Sequence, residues 1–187
     1  QSTKAGLLGV SVFADDTVQM LQQTPKYGAV FEAPVIAAML NINPSIIMDT
    51  ELPIQVISTG LPDVIVPVLP GYLDSILPNQ QAISHFCQKH NLVGLHVFEL
   101  FEEDTEHFAS CRNFAPLYGI PEESATGSAS GALACYLNRY VDSSISHFSF
   151  EQGRIMDALS VISARVKKTA VEVSGTAIFI RKLLIQL

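Results

Sequence analysis

Glu122-Glu123-Ser124-Ala125-Thr126-Gly127-Ser128-Ala129-Ser130-Gly131-Ala132 joins two acidic residues to a run without a single bulky side chain. Leu133, Tyr136, Leu137 and Tyr140 follow at helical intervals, so the stretch predicts a helix from about 127 to 140. The first N–H groups of such a helix have no intrahelical partner, and the helix dipole makes that end positive. With only small side chains there, the amides stay open to a carboxylate or phosphate. Thr126 and Ser128 can add hydroxyl donors, or one of them can cap the helix. A carboxylate at a helix start is stabilised in its ionised form, which suits a base. The same residues also suit a purely structural end, with small residues packed against another backbone and acids complementing the dipole. No Gly-Lys-Ser/Thr follows the glycines, which excludes a P-loop.

Working outward, short strands dominate. Val10, Val12, Val18 and Met20 alternate around Asp15-Asp16 and predict a half-buried hairpin over 6–22, which Pro25 and Gly28 should end. Ala33, Ile36, Ala37 and Leu40 predict a helix over 32–41, with Pro34 in its first turn. Gly60-Leu61-Pro62-Asp63 between two β-branched runs reads as a turn joining strands. A helix is expected over 78–91, and strands over 94–99, 107–113, 146–152 and 159–166, with a final pair over 170–180. Short strands outnumber helices, so the class is mixed α+β.

The 187 residues are 48% hydrophobic with no Trp, enough apolar material for a substantial core. The net charge is -7 and the few Lys and Arg are scattered, which argues against a nucleic-acid partner. Pro or Gly interrupts every long apolar run, so no membrane span is expected. Cys87, Cys111 and Cys135 are odd in number and far apart, which points to reduced thiols in a cytoplasmic protein. His85 and His90 flank Cys87, but a polar helix face with one buried thiol accounts for them without a metal. No metal site is therefore expected.

Taken together, Arg112-Asn113-Phe114-Ala115-Pro116, Gly119-Ile120 and Glu123 through Ala129 resemble the central signature of the PhzF-like family, named for an enzyme of phenazine biosynthesis. Thr3-Lys4-Ala5-Gly6, Gln55 through Pro62, Glu151-Gln152-Gly153 and Val173 through Ala177 agree with it in order. The resemblance implies the diaminopimelate epimerase-like fold, a sheet wrapped around a central helix in each of two halves. It implies cofactor-free isomerisation or epimerisation of a small carboxylate-bearing substrate by proton transfer, and a homodimer. It places Glu123 at a catalytic acidic position, usually Asp, and Thr126, Gly127, Ser128 and Ala129 at the substrate-binding helix start. Ser124 stands where Pro is common, and Asp157-Ala158-Leu159-Ser160 replaces Gly-Arg-Pro-Ser. The helix start holds no Cys, so a two-thiol racemase mechanism is not expected.

The family's Ser-Glu-Thr motif, bearing its principal catalytic Glu, and its Gly-His-Ala-Thr motif do not occur here. The expectation is therefore of a C-terminal portion: residues 1–50 a remnant of the first half, 51–170 a complete second half, and 171–187 closing strands that return to the first. Such a chain would be inactive without the N-terminal segment as partner. The alternative is a non-catalytic domain that binds a small anion or mediates assembly. Arg112 and Gln152 can each face a substrate or anchor a strand.

Overall fold

The structure, a computed structural model, describes residues 2–3, 6–101, 106–168 and 170–176. Two strands of two residues, β1 (Ser2–Thr3) and β2 (Gly6–Leu7), pair with each other. The expected hairpin is formed by β3 (Val10–Val12) and β4 (Thr17–Gln22), with Val10 opposite Met20, but β3 is exposed along its length instead of half-buried, since it is the end strand of the sheet. Its turn is closed by the Thr17 N–H, which donates to Asp15 Oδ1 at 3.1 Å.

Lys26–Phe31 departs from expectation, because it forms a strand, β5, that runs through Gly28. Gly28 is a close-approach point here: a Cβ at that position would lie 3.1 Å from Val56 Cβ. The pairing register also shifts between Tyr27 and Val30, so the glycine accommodates an irregularity without ending the strand. Helix α1 (Ala33–Leu40) carries Pro34 in its first turn, as expected. A four-residue helix, α2 (Ser45–Met48), was not foreseen; its Ser45 N–H donates to Asn43 Oδ1.

Next come the hairpin β6 (Ile54–Ser58) and β7 (Pro62–Val68), then α3 (Gln80–His90), whose Asn79 cap accepts from the Ala82 N–H. Strands β8 (Gly94–Leu100), β9 (Ala109–Ala115) and β10 (Ile120–Glu123) lead into α4 (Gly127–Tyr140), whose limits match the expectation. Strands β11 (His147–Gln152), β12 (Ser160–Val166) and β13 (Val171–Thr176) complete the described chain. The expected strand toward Ile180 lies outside the described residues.

The strand order is β3-β4-β13-β12-β11-β9-β8-β7-β6-β5, with β10 paired to β9. Consecutive strands β4 and β5 therefore stand near opposite ends. In a flat sheet their eight spacings would separate them by about 38 Å. The chain from Gln22 to Lys26 reaches at most about 15 Å. The sheet must curl, and the Gln23 N–H donates to the Thr59 carbonyl across the gap at 2.9 Å. Residues 10–31 thus belong to the same sheet as 54–176.

The curl encloses α4, whose residues Ala129 through Leu137 are all buried. Alternation along the strands sorts two cores. Ile57, Ile65, Phe98 and Cys111 face α4 and pack with Leu133, Tyr136 and Leu137. Val56, Val64, Val66, Leu95 and Phe114 pack instead with Ile36, Leu40 and Ile83 of α1 and α3. Two α4 phenols are tied off: Tyr136 donates to the Pro53 carbonyl and Tyr140 to Gln55 Oε1, each at 2.7 Å.

Because Leu133 is fully enclosed at the middle of α4, Leu133→Ala is expected to cost about 2–5 kcal/mol of stability in denaturant unfolding. A loss below about 1 kcal/mol would contradict the central position of this helix.

Candidate active site

Glu123 ends β10 opposite Asn113 of β9, and three residues later the chain turns into α4. Gln152, at the end of β11 and 1% exposed, grips this corner. Its Nε2 donates to the Glu123 carbonyl at 2.6 Å and to Thr126 Oγ1 at 3.0 Å, while its Oε1 accepts from the Thr126 N–H at 3.2 Å. The Thr126 hydroxyl in turn donates to Glu123 Oε2 at 2.7 Å. Thr126 occupies the N-cap position without a side-chain cap bond. Its hydroxyl proton is thus given to Glu123, so Thr126, which lines the same cavity, orients that carboxylate.

Beyond this corner the α4 start is open. The first intrahelical bond at this end is that of the Ser130 N–H to the Thr126 carbonyl, which leaves the Gly127 and Ser128 amides for a ligand. Thr59 steadies the turn by donating to the Ser128 carbonyl at 3.0 Å. Gly127 and Ser128 separate two cavities. One, of about 380 Å³, is lined by Asp63, Asn113, Tyr118 and Glu123. The other, of about 590 Å³, is mainly apolar, with Val18, Met20, Ile162 and Val173 among its walls. Ala129 is fully buried one step inside and lines neither cavity.

Sequence reasoning missed Asp63, which it read as part of a turn. The residue begins the buried part of β7, is 2% exposed, and its Oδ1 has no hydrogen-bond partner. Burial and then the neighbouring Glu123 charge push its carboxyl up to about 8, against the Gly94 backbone N–H, which favours ionisation. The only hint in the sequence is a carboxylate at the head of a β-branched run.

His96 is likewise fully buried, and burial lowers its pKa to about 4 despite the hydrogen bond between Nδ1 and Asn113 Oδ1 at 3.1 Å. With an acceptor oxygen at Nδ1, the neutral ring carries its proton there.

Arg112 is an anchor. Its Nε and Nη2 donate to the two Glu122 carboxylate oxygens at 2.8 Å each, and Nη1 donates to the Leu73 and Ile76 carbonyls. Glu122 is thereby occupied, leaving Glu123 as the motif carboxylate that lines the cavity. Gln152 is an anchor as well, of the site itself. Cys135 is buried within α4 and burial pushes its thiol up to about 12, consistent with a packing role. His85 and His90 are exposed while Cys87 is buried, and no cluster of three or more metal-ligating side chains occurs among the described residues.

The family model described as phenazine biosynthesis-like protein matches residues 1–182. The chain belongs to this PhzF-like family. It is 29% identical to an uncharacterized isomerase of Clostridium acetobutylicum, over 96% of this chain and 65% of that protein. A PhzF family protein of Bacillus anthracis superposes with a TM-score of 0.79 at 23% identity, covering 99% of this chain and 67% of that one. A predicted epimerase of Pseudomonas aeruginosa gives a TM-score of 0.72 at 26% identity, over 90% and 58%. The fold is thus the α+β, diaminopimelate epimerase-like one, within an isomerase and epimerase family. The chain spans about two thirds of the length of the Clostridium relative. No helix among the described residues is long and apolar enough to cross a membrane.

The two buried titrations act in opposite directions. Asp63 is held above its ordinary value, so its favourable protonated state is lost as pH rises from about 4 to about 8. His96 is held below its ordinary value, so its contribution is lost as pH falls from about 6.5 to about 4. Asp63→Asn is expected to remove the first effect only. The stability of the variant relative to the parent should rise with pH up to about 8, by as much as about 1.4 kcal/mol per pH unit. A difference independent of pH between 5 and 8 would contradict this burial.

Proposed function

We propose that this PhzF-like protein takes part in cofactor-independent proton transfer on a small carboxylate-bearing metabolite. The observation that carries the reading is the convergence of Glu123 and the open Gly127 and Ser128 amides on one cavity. The amides and the positive helix end would hold the substrate carboxylate. Charge that develops on that carboxylate when an adjacent C–H loses its proton would be stabilised by the same donors. Glu123, oriented by Thr126 and Gln152, is the group in this chain suited to accept or return the proton.

Complete turnover, in this proposal, also needs the acid/base Glu that the family resemblance assigns to a Ser-Glu-Thr segment, a motif absent from these 187 residues. That segment would be a partner of the chain, and the working protein would be a cytoplasmic homodimer. Solvent deuterium wash-in tests the division of labour. With a panel of small α-amino and unsaturated cyclic carboxylic acids, the 187-residue chain should incorporate no deuterium, and a longer chain carrying the Ser-Glu-Thr segment should. Incorporation by the 187 residues alone would show that the proposed dependence is wrong.

Ligand binding is tested separately with succinate as the probe. Ser128→Asp places a negative charge at the helix start and should weaken succinate binding in calorimetry by at least about tenfold. Equal affinity in the variant and the parent would rule out the helix start as the anion site.

A further inference from the structure

The α4 amides and Glu123 do not account for everything in their cavity. Asp63 lies on its wall, on the strand face that also carries Ile65 and, across the β7–β8 pairing, His96. A carboxyl group 98% removed from solvent would ordinarily be paired with a cation or saturated with donors. Among the described residues no cationic side chain lines this cavity, and Asp63 Oδ1 is without a partner. Burying a carboxylate in this way is costly, and burying it beside a second carboxylate is more so. A neutral carboxyl avoids both penalties and has a proton to donate.

We infer that Asp63 is a ligand-contacting acid of the site: its neutral carboxyl donates a hydrogen bond to an oxygen of the carboxylate held by the Gly127 and Ser128 amides. This deepens the reading of the site as a carboxylate-binding, proton-transferring one and rests on it. No proton leaves Asp63. When Glu123 takes a proton from the carbon beside the substrate carboxylate, the C–H electron pair moves into that carboxylate, and the Asp63 O–H strengthens its hydrogen bond to the more basic oxygen. The arrangement favours a carboxylate over a neutral amide or ester, since the helix amides and the Asp63 O–H all donate toward its oxygens, and such bonds are stronger to an ionised acceptor.

The titratable groups facing Asp63 are few. Glu123 of β10 raises its pKa. Cys87 of α3, itself pushed up to about 11 by burial and by the Asp63 charge, stays a thiol. His96 of β8 is neutral above pH 4. The Tyr118 phenol lines the same cavity. Below the Asp63 titration the cavity therefore accepts an anion, and above it a second negative charge opposes binding.

Two measurements on the 187-residue chain test this. Infrared difference spectra between the parent and Asp63→Asn at pH 7 should show a protonated-carboxyl C=O band that the variant lacks; absence of such a band overturns the inference. Succinate titrations at pH 6.5 and pH 9 should show the parent losing affinity about tenfold. Asp63→Asn, which keeps a donor and cannot ionise, should change less than about twofold. If succinate binds and Ser128→Asp weakens it, yet Asp63→Asn keeps the parent's pH profile, the Asp63 contact is wrong and the helix-start site stands. If no variant binds succinate at either pH, the carboxylate site and the Asp63 contact fall together.

Discussion

Enclosure of α4 is the constraint on which the rest of the molecule depends. A helix with nine consecutive buried residues needs apolar walls on every side, and a single sheet supplies them by curling until β4 and β5 are joined by a short link. A helix wrapped in this way keeps its backbone bonded internally everywhere except its ends. The first-turn amides are then the polar groups that the fold cannot satisfy from within the helix. The wrapping places them between two cavities, one of which is also lined by Glu123 and Asp63. Packing and anion affinity are thus consequences of one arrangement.

The corner before α4 shows how the fold converts this exposed end into an ordered site. Glu122 turns away and is locked by the Arg112 guanidinium, which also ties β9 to the Leu73–Ile76 segment. Glu123 turns inward and is set by Thr126. Gln152 bridges the two through three hydrogen bonds from the neighbouring strand β11. A carboxylate held in this way has little rotamer freedom to lose when a ligand arrives, which favours both binding and proton transfer.

Much of this was legible in the sequence, for identifiable reasons. The limits of α4 followed from small residues giving way to the Leu133–Tyr136–Leu137–Tyr140 spacing, the first hairpin from alternation, and the second from a Gly-Leu-Pro-Asp turn between β-branched runs. Strand β5 was hidden because Gly28 reads as a breaker, whereas its missing side chain is what lets it pass Val56. The curl of the sheet is a long-range property that no local pattern carries. The motif placed Glu123, Thr126, Gly127 and Ser128 at the cavity, with the Thr126 hydroxyl donated to Glu123, while Ala129 is buried one step inside. Asp63 was illegible because a Pro-Asp pair after Gly-Leu is ordinary turn chemistry. Only the pairing of β7 with β8 and the nearness of β10 make it a buried neighbour of Glu123.

The central claim is that the open α4 start is where an anion binds. Amide chemical shifts of uniformly ¹⁵N-labelled protein, followed as succinate is added, address it directly. The account predicts saturable shifts largest at Gly127 and Ser128, with smaller ones at Glu123 and Thr126. Saturable shifts confined to other parts of the sheet, with Gly127 and Ser128 unmoved, would contradict it.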